Sequence, residues 1–400
     1  MKRIGVLTGG GDTSALNATL KGVANRAAEL GIEVVGFRGG WAGLLPGGEY
    51  VILDHDKIET GVGGTLLKTS RTKLARVEDG HEKAHHTLSK LGVEALIPIG
   101  GDDTLSVAAD MPDVQMVVVT KTIDNDVGTN APPGDTVRYD KIVNYFTPGF
   151  PSAAARVARF AGMQDGLRTT AYSHDRVIVM ETMGMSAGWL ALAAAYAHAD
   201  FIIIPEVPLD FELLCDRVVE RRRQRQDVMI VISEGARDED GNVITEDETN
   251  LDAFGHAKPG GCAEIVASKL KAALRDTLGT RNFNAVIPSY LYRSGRPIKV
   301  DLNLGLKLGA KAVDLLVSGK TGYMACVKRT PRGGLRAVGL PFTALERQAD
   351  GTIKPRRVDA RFYDTDNLNI TDAGKEYFRP ILGPVPEPYT TPELDIRTVE

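Results

Sequence analysis

Three polar loops of the 400-residue chain carry residue types that suit chemistry on phosphate groups. Residues 8–13 read Thr-Gly-Gly-Gly-Asp-Thr, residues 100–104 read Gly-Gly-Asp-Asp-Thr, and residues 120–126 read Thr-Lys-Thr-Ile-Asp-Asn-Asp. Glycines let the backbone approach an anion closely, and the N-terminus of a following helix favours negative charge. The first loop is therefore a candidate phosphate cradle, although a tight turn without a ligand would explain it as well.

The second and third loops add carboxylates and a cation. Asp102 and Asp103 are natural ligands for a Mg²⁺ ion shared with a substrate phosphate, but Asp103 or Thr104 could instead simply start a helix. Asp124 could act as general base on a hydroxyl while Lys121 stabilises phosphate oxygens; a solvated turn is the alternative. Taken together, the three loops hold the components of phosphoryl transfer.

Buried strands and amphipathic helices must position these loops. The pattern predicts strands at 3–8, 33–37, 94–98, 115–119, 176–181, 201–204, 228–232 and 284–287, and helices at 14–29, 79–91 and near 104–110. Because β-branched strands that alternate with helices form parallel βαβ units, we predict an α/β fold with mostly parallel sheets flanked by helices. Ligands bind such sheets at the carboxyl ends of the strands, where all three loops fall.

Composition limits the class of protein. The formal net charge of −4, from 48 Lys+Arg and 52 Asp+Glu, argues against a nucleic-acid binder and against a polybasic membrane-surface protein. The three cysteines lie far apart without a CxxC pair, which argues against disulfides or a Cys-based zinc site and favours a reducing, cytoplasmic compartment. We expect no targeting or membrane-spanning segment, because the apolar stretch after Met1 is too short.

The motifs resemble the phosphofructokinase superfamily from residue 5 to about residue 328. The three loops are similar to its opening loop, its metal loop and its catalytic loop, and Thr-Ile-Asp-Asn-Asp at 122–126 is the most specific match. Further matches are Met-Glu-Thr-Met-Gly at 180–184, Ser-Glu-Gly at 233–235 and Tyr-Leu-Tyr-Arg-Ser-Gly at 290–295.

The resemblance implies a two-domain phosphofructokinase-like fold with the active site in the interdomain cleft. The expected donor-phosphate and metal domain comprises residues 1–148 plus about 293–345, and the acceptor domain comprises residues 149–292. Residues 346–400 form a C-terminal extension, which we expect to pack on one of the two domains and whose sequence suggests no chemistry.

The resemblance also implies roles for individual residues. Asp124 matches the base that deprotonates the sugar 1-hydroxyl, Asp126 its supporting carboxylate, and Asp102 the residue linked to Mg²⁺. The implied donor-phosphate contacts are Gly11, Arg71, Asp103, Thr104 and Lys121, and the implied acceptor contacts are Thr122, Arg176, Met183, Gly184, Glu234, Tyr290 and Arg293. In the family the arginine at position 176 usually reaches across a subunit interface, which implies a homodimer or homotetramer.

Two loop positions bear on the phosphoryl donor. ATP-using relatives typically have glycine where this chain has Asp103 and Lys121. A carboxylate at Asp103 would crowd and repel the α-phosphate of a nucleotide, whereas Lys121 could contact one end of pyrophosphate. The pair therefore resembles the pyrophosphate-dependent branch. It implies a glycolytic, Mg²⁺-dependent transfer from pyrophosphate to the 1-hydroxyl of fructose 6-phosphate or a related sugar phosphate. ATP would still bind if Asp103 turned away.

Three positions depart from the family pattern. Met185 replaces the usual arginine, Tyr290 stands where histidine is frequent, and Asn284 falls where an acceptor-phosphate arginine is expected. Losing a cation beside the transferred group weakens transition-state stabilisation unless another cation, such as Arg281, replaces it. A different sugar or polyol acceptor and a weakly active regulatory subunit therefore stay open as alternatives.

Overall fold

The computed structural model describes residues 1–225, 227–245, 261–279, 282–349 and 351–390. Its strands are β1 Arg3–Thr8, β2 Glu33–Phe37, β3 Tyr50–Ile52, β4 Ala95–Gly100, β5 Gln115–Thr120, β6 Val177–Thr182, β7 Phe201–Ile203, β8 Val228–Ser233, β9 Phe283–Val286, β10 Tyr323–Arg329, β11 Leu335–Pro341, β12 Tyr363–Asp364 and β13 Asn369–Ile370. Its α-helices are α1 Leu16–Glu29, α2 Gly80–Lys90, α3 Asp102–Ala109, α4 Phe150–Ala161, α5 Arg168–Ser173, α6 Trp189–Leu192, α7 Phe211–Gln224, α8 Cys262–Ala273, α9 Arg275–Leu278, α10 Lys299–Val317 and α11 Asp372–Leu382.

The larger sheet has seven strands in the order β11-β10-β5-β4-β1-β2-β3. The strands from β10 to β2 in that order are parallel, and the edge strands β11 and β3 run antiparallel to their neighbours. Thr8 pairs with Ile99, and Gly100 pairs with Thr120. Because these residues end β1, β4 and β5, the three polar loops leave the sheet side by side.

The smaller sheet has four parallel strands in the order β7-β8-β6-β9. Every residue of β6 and β8 is buried, as the apolar sequences of these strands require. Thr182 pairs with Ser233, so the loops that follow β6 and β8 leave the same edge of this sheet. These are the loops that carry Met183, Gly184 and Glu234.

Helices α1 and α10 approach each other closely because glycine lines their contact. A Cβ atom at Gly22 would overlap the Leu306 carbonyl, and one at Gly309 would overlap the Thr19 carbonyl. A Cβ at Gly305 would lie 3.1 Å from the Ala18 Cβ. Since α1 begins just after the first polar loop, this contact holds that loop against the body of the fold.

The C-terminal segment, defined here as residues 351–390, packs against both sheets. The Tyr363 hydroxyl donates a hydrogen bond to the carbonyl of Ile202 in β7, and the Tyr377 hydroxyl donates to the carbonyl of Tyr145, which is close to β10. The expectation that the extension rests on one domain is therefore wrong. The large rings of Phe362, Tyr377 and Phe378 are buried in the core that spans the two sheets, which explains the placement.

The predicted fold class is confirmed, with mostly parallel sheets flanked by helices. Strands β1 and β2 match their predicted bounds, whereas β3 and β10 to β13 were not predicted. The larger sheet takes its strands from residues 3–120 and 323–341 and the smaller from residues 177–286; the domain boundaries themselves stay a prediction. Among the described residues, no helix has the length and apolarity that crossing a membrane would require.

Candidate active site

The first polar loop is tied to two neighbouring segments by its backbone. The amide of Gly9 donates to the Ile99 carbonyl at 2.9 Å, and the amide of Gly10 donates to the Ser70 carbonyl at 3.1 Å. A Cβ at Gly9 would lie 2.6 Å from Thr104 Oγ1, so the buried threonine fills the space that glycine leaves. The first polar loop and Thr104 are thus brought together, and the exposed Arg71 follows Ser70 directly.

Lys121 extends from the end of β5 into this loop. The side chain is buried, and Nζ donates to the carbonyl of Gly11. The pKa of Lys121 is lowered to about 8, chiefly by burial and also by the nearby Arg293, while Asp12 and Asp124 oppose the shift. The structure therefore places a cation of reduced proton affinity at the glycine loop, where a phosphate group would meet it.

Asp102 and Asp103 occupy the first turn of α3, with Gly101 at its N-cap. Asp103 Oδ1 lies 2.9 Å from the ammonium nitrogen of Lys73, and both side chains are partly exposed. Asp102 is reached by solvent from one side, yet the protein atoms around it desolvate its carboxyl and raise its pKa, and the charge on Asp103 adds to that shift. One carboxylate is thus held by an ion pair and the other stays open.

Asp102 and Asp103 are the carboxylates of this loop that could bind Mg²⁺. Within the described ranges, no group of three His, Cys, Asp or Glu side chains is placed to hold a metal ion. Mg²⁺ commonly binds one or two carboxylates and completes its shell with water and substrate phosphate. The open carboxylate of Asp102 fits a Mg²⁺ ion that arrives with a phosphate donor.

Residues 122–127, named here the acidic loop, carry the carboxylates of the third polar loop. The amide of Asp124 donates to Thr122 Oγ1 at 3.0 Å, which turns the chain. Asp124 Oδ1 is buried, and no described residue forms a hydrogen bond with it. Burial raises the pKa of Asp124, against the opposing charge of Arg293, and also raises the pKa of Asp126, to which the charge on Asp124 contributes. An unpartnered buried carboxylate oxygen is free to accept a proton.

The loops after β6 and β8 are joined by hydrogen bonds around Gly184. Its amide donates to Glu234 Oε1 at 3.0 Å, and its carbonyl accepts from Ser233 Oγ at 2.6 Å. The φ angle of Gly184 is +129°, and a Cβ there would lie 2.6 Å from the Ala187 carbonyl, so only glycine fits. Burial raises the pKa of Glu234 to about 8, and Asp124 is near enough to contribute.

Arg293 lies between the donor loops and the acceptor loops. Its Nη1 would be 2.6 Å from a Cβ at Gly11, and its charge affects the pKa values of Lys121, Asp124 and Glu234. Its Nε is buried and has no hydrogen-bond partner in the described part of the chain. The ring of Tyr290 lies 5.8 Å from the Arg293 guanidinium carbon and is 72% exposed. The predicted site residues of the two sheets therefore converge on one arginine.

Arg176 does not join the other predicted acceptor residues within this chain. It precedes the amino end of β6, where Nη1 donates to Thr170 Oγ1 at 2.7 Å. Met183 and Gly184 follow the carboxyl end of the same strand, roughly 20 Å away at the rise of an extended chain. Asn284, one of the three departures from the family pattern, lies within β9; Arg281, the candidate replacement cation, lies outside the described residues.

Sequence reasoning missed three residues that hold the loops of the site. Lys73 pairs with Asp103, while Arg356 and Tyr377 bond to Asn125 in the acidic loop. A lysine close to the Lys-Thr-Ser-Arg stretch at 68–71 could have been suspected from its position. Arg356 and Tyr377 gave no signal, because they lie more than two hundred residues from the loop they contact.

Comparison with known proteins identifies the family to which the chain belongs. A model of the family described as Phosphofructokinase matches residues 3–316. The pyrophosphate–fructose 6-phosphate 1-phosphotransferase of Dictyoglomus thermophilum is 38% identical over 369 residues, which cover 91% of this chain and 97% of that relative. ATP-dependent 6-phosphofructokinase 3 of Streptomyces coelicolor is 38% identical over 338 residues, covering 82% of this chain and 91% of the relative. This chain belongs to the phosphofructokinase family, which confirms the predicted resemblance.

A solved structure supports the fold independently. The crystal structure of a pyrophosphate-dependent phosphofructokinase from Marinobacter aquaeolei covers 98% of this chain and 94% of its own, with a TM-score of 0.76. Its sequence identity is 20%, so the likeness concerns the architecture. The two-sheet α/β fold described above is the fold of that enzyme.

Proposed function

We propose that this protein transfers a phosphoryl group from pyrophosphate to the 1-hydroxyl of fructose 6-phosphate. Relatives of equal identity are named for pyrophosphate and for ATP, so the donor has to be argued from residues. The observation that carries the proposal is the ion pair between Asp103 and Lys73, which holds a carboxylate at the start of α3 beside the glycine loop.

A carboxylate fixed in that position disfavours a nucleotide. The α-phosphate of ATP would meet the negative charge of Asp103, and turning this carboxylate aside would break its contact with Lys73. Pyrophosphate has only two phosphorus atoms, so it leaves the space beside Asp103 unoccupied. Lys121 extends from the end of β5 to the carbonyl of Gly11. At that position it supplies a charge-assisted contact to the donor.

Asp124 is the proposed general base. Its Oδ1 has no hydrogen-bond partner among the residues that the structure describes, and its carboxylate lies close to the cations of Lys121 and Arg293. As the sugar hydroxyl attacks phosphorus and the bridging bond of pyrophosphate breaks, the hydroxyl proton passes to Asp124. Asp126, whose pKa is raised by burial and by Asp124, retains a proton and leaves the negative charge on the base.

Mg²⁺ belongs to the proposal as the partner of the donor phosphates. Asp102 would hold it, and the ion would neutralise negative charge on the phosphate oxygens. Arg293 takes over the role that the family gives to the arginine replaced by Met185. Its guanidinium already lies beside Gly11 and influences Asp124, so a cation is available near the transferred group.

The proposal includes a homodimer or homotetramer that acts in the cytoplasm. Arg176 lies at the end of β6 that is remote from Gly184, so it can serve an acceptor site only by contributing to that of a neighbouring subunit. The three cysteines are free thiols, which suits a reducing compartment.

A donor-by-acceptor activity matrix tests this function. Pyrophosphate and ATP are each offered with fructose 6-phosphate, other sugar phosphates and polyols, and kcat/KM is measured for every pair. We expect the highest value for pyrophosphate with fructose 6-phosphate. A preference for ATP, a preference for another acceptor, or tight sugar-phosphate binding without turnover on any donor would contradict the proposal.

The double variant Asp103→Gly with Lys121→Gly tests the donor argument within the same assay. Removing the repulsive carboxylate and the pyrophosphate contact is expected to shift the ratio of kcat/KM for ATP over pyrophosphate by about tenfold or more towards ATP. Asp113→Gly, at an exposed position before β5, serves as the matched control and is expected to leave the ratio unchanged. An unchanged ratio in the double variant would remove the donor argument.

A further inference from the structure

An arginine of the C-terminal segment is hydrogen-bonded to the backbone of the acidic loop. Arg356 is 3% exposed, and its Nη2 and Nε donate to the carbonyl of Asn125 at 2.6 and 3.1 Å. Its Nη1 donates to the carbonyl of Asn144 at 2.7 Å, and its backbone amide donates to the carbonyl of Asp126 at 2.6 Å. One residue of the extension therefore binds two consecutive peptide groups of the loop.

Tyr377 of helix α11 holds the side chain of the same loop residue. Its hydroxyl accepts a hydrogen bond from Asn125 Nδ2 at 2.7 Å and donates one to the Tyr145 carbonyl at 2.6 Å. The tyrosine is fully buried, with its ring centroid 4.8 Å from that of Trp189 and 5.3 Å from that of Phe146. Because the ring is packed on several sides, the hydroxyl has little freedom to move.

Asn125 is the residue whose conformation aims the two carboxylates. It adopts φ +57°, in the left-handed region that asparagine tolerates better than most residues. Asp124 and Asp126 flank it, so a rotation of its peptide groups would redirect both side chains. A misplacement of about 1 Å at a reacting group can lower a rate by about two orders of magnitude.

The charge on Arg356 indicates that this contact does more than fill space. Within the described part of the chain, no carboxylate lies at ion-pair distance from its guanidinium, which is bonded to carbonyl oxygens and stacked 5.0 Å from the Trp189 ring. Burying a cation without an anionic partner is unfavourable, and an apolar side chain would fill the same volume. Here the guanidinium is satisfied by the carbonyl oxygens of Asn125 and Asn144, which ties it to the acidic loop.

We propose that Arg356 and Tyr377 are positioning residues, and that the C-terminal segment holds the acidic loop so that Asp124 points towards the acceptor hydroxyl. The reaction named here rests on the proposed function, whereas the contacts do not. Neither residue touches substrate; both act through Asn125.

Tyr377→Phe tests the proposal with a matched control in the same segment. The change removes the hydroxyl that bonds to Asn125 and keeps the ring. Tyr363→Phe removes a buried tyrosine hydroxyl of the same segment that bonds to the Ile202 carbonyl instead. We expect Tyr377→Phe to lower kcat by about tenfold or more with little change in KM. Tyr363→Phe should lose similar thermal stability and keep the kcat of the parent chain.

Arg356→Lys is the second variant, because lysine keeps the charge but cannot donate to both carbonyls through a planar fork. Its kcat is expected to fall as well, at unchanged KM. Parental kcat in both Tyr377→Phe and Arg356→Lys, or an equal loss in Tyr363→Phe, would overturn the positioning role.

Hydrogen–deuterium exchange separates this inference from the proposed function. Tyr377→Phe should speed exchange in peptides covering residues 120–129 and leave the peptides of β7 unchanged. Kinetic ratios between variant and parent are taken on whichever donor and acceptor the parent chain prefers. If the parent turns over no substrate, the proposed function fails and exchange alone decides the inference: unchanged exchange at 120–129 would refute it.

Discussion

Burial governs the proton affinities of the acidic side chains around the site. It raises the pKa values of Asp124, Asp126 and Glu234, and it lowers the pKa of Lys121 to about 8. Neighbouring cations counteract the effect of burial. Arg293 and Lys121 lower the pKa of Asp124 and so favour its ionised form. The site therefore holds fewer negative charges near neutral pH than its sequence contains acids, which suits the binding of anionic substrates.

Glu234→Gln should change the pH dependence of stability. Burial raises the pKa of Glu234 from 4.5 to about 8, so the folded chain keeps a proton that the unfolded chain releases. The resulting stabilisation is complete below pH 4.5 and is lost as pH rises through about 8. Glutamine stays neutral and can still accept from the Gly184 amide. The Tm of the variant relative to the parent should therefore rise from pH 5 to pH 8.

Thermal unfolding at several pH values measures this difference, expected to be several kcal/mol across the range, at about 1.4 kcal/mol for each pH unit between the two pKa values. Glu59→Gln, at an exposed position, is the control and should run parallel to the parent. A pH-independent difference between Glu234→Gln and the parent would show that the carboxyl is ionised throughout.

Residues in the three polar loops could be predicted from sequence because their types and spacing are local. The structure brings Gly11, Asp102, Lys121 and Asp124 near one another, as the loop order required. Their individual roles stay predictions. Arg356 could not be predicted in the same way, since its partners are defined by tertiary contacts rather than by neighbours in the chain.

At the scale of elements, alternation of apolar strands and helices was enough for the parallel core. Strands such as β4, buried at every position, stand out as continuous apolar runs. Strand β11 is an antiparallel edge strand that is partly buried along most of its length, so its sequence carries no comparable run. The hairpin of β12 and β13 has two residues a strand, which is too short for any periodic signal.

The close contact between α1 and α10 predicts that two glycine-to-alanine substitutions in α10 destabilise the protein to different extents. Gly309→Ala should destabilise the protein by about 1–3 kcal/mol, because its Cβ would overlap the Thr19 carbonyl and two helix backbones would have to separate. Gly305→Ala should destabilise the protein less, because its Cβ would lie 3.1 Å from the Ala18 Cβ and the overlap is smaller. In both variants alanine favours the helix over glycine by about 1 kcal/mol, which offsets part of the loss.

Denaturant unfolding of the two variants beside the parent checks this order. Equal effects, or a gain in stability from Gly309→Ala, would mean that the helices are further apart than described. Because α10 also places Asp301, which accepts from the Gly149 amide at 2.9 Å at the start of α4, the loss should spread beyond one helix pair.

For the whole molecule, the remote position of Arg176 predicts active sites shared between subunits. In a mixture of Asp124→Ser chains with Arg176→Ala chains, a hybrid pair has one site with both defects and one site with neither. Each variant alone should have little activity at low sugar-phosphate concentration. Co-refolded in equal amounts, they should recover activity in about a quarter of the sites.

Activity assays on separately prepared and co-refolded chains provide the measurement. Sedimentation of the parent should show a dimer or a larger even-numbered assembly. Failure of the mixture to exceed the sum of its two components would place Arg176 outside the acceptor site.

The order of strands in the larger sheet has a consequence for how the chain can be divided. β5 pairs with β10, whose residues come some two hundred positions later, after the whole of the smaller sheet. A fragment ending near residue 148 would leave β5 as an unprotected edge, open to pairing with other chains and to aggregation. Nicking the connection between the sheets should therefore yield pieces that stay interlocked, and expressing either half alone should give insoluble material.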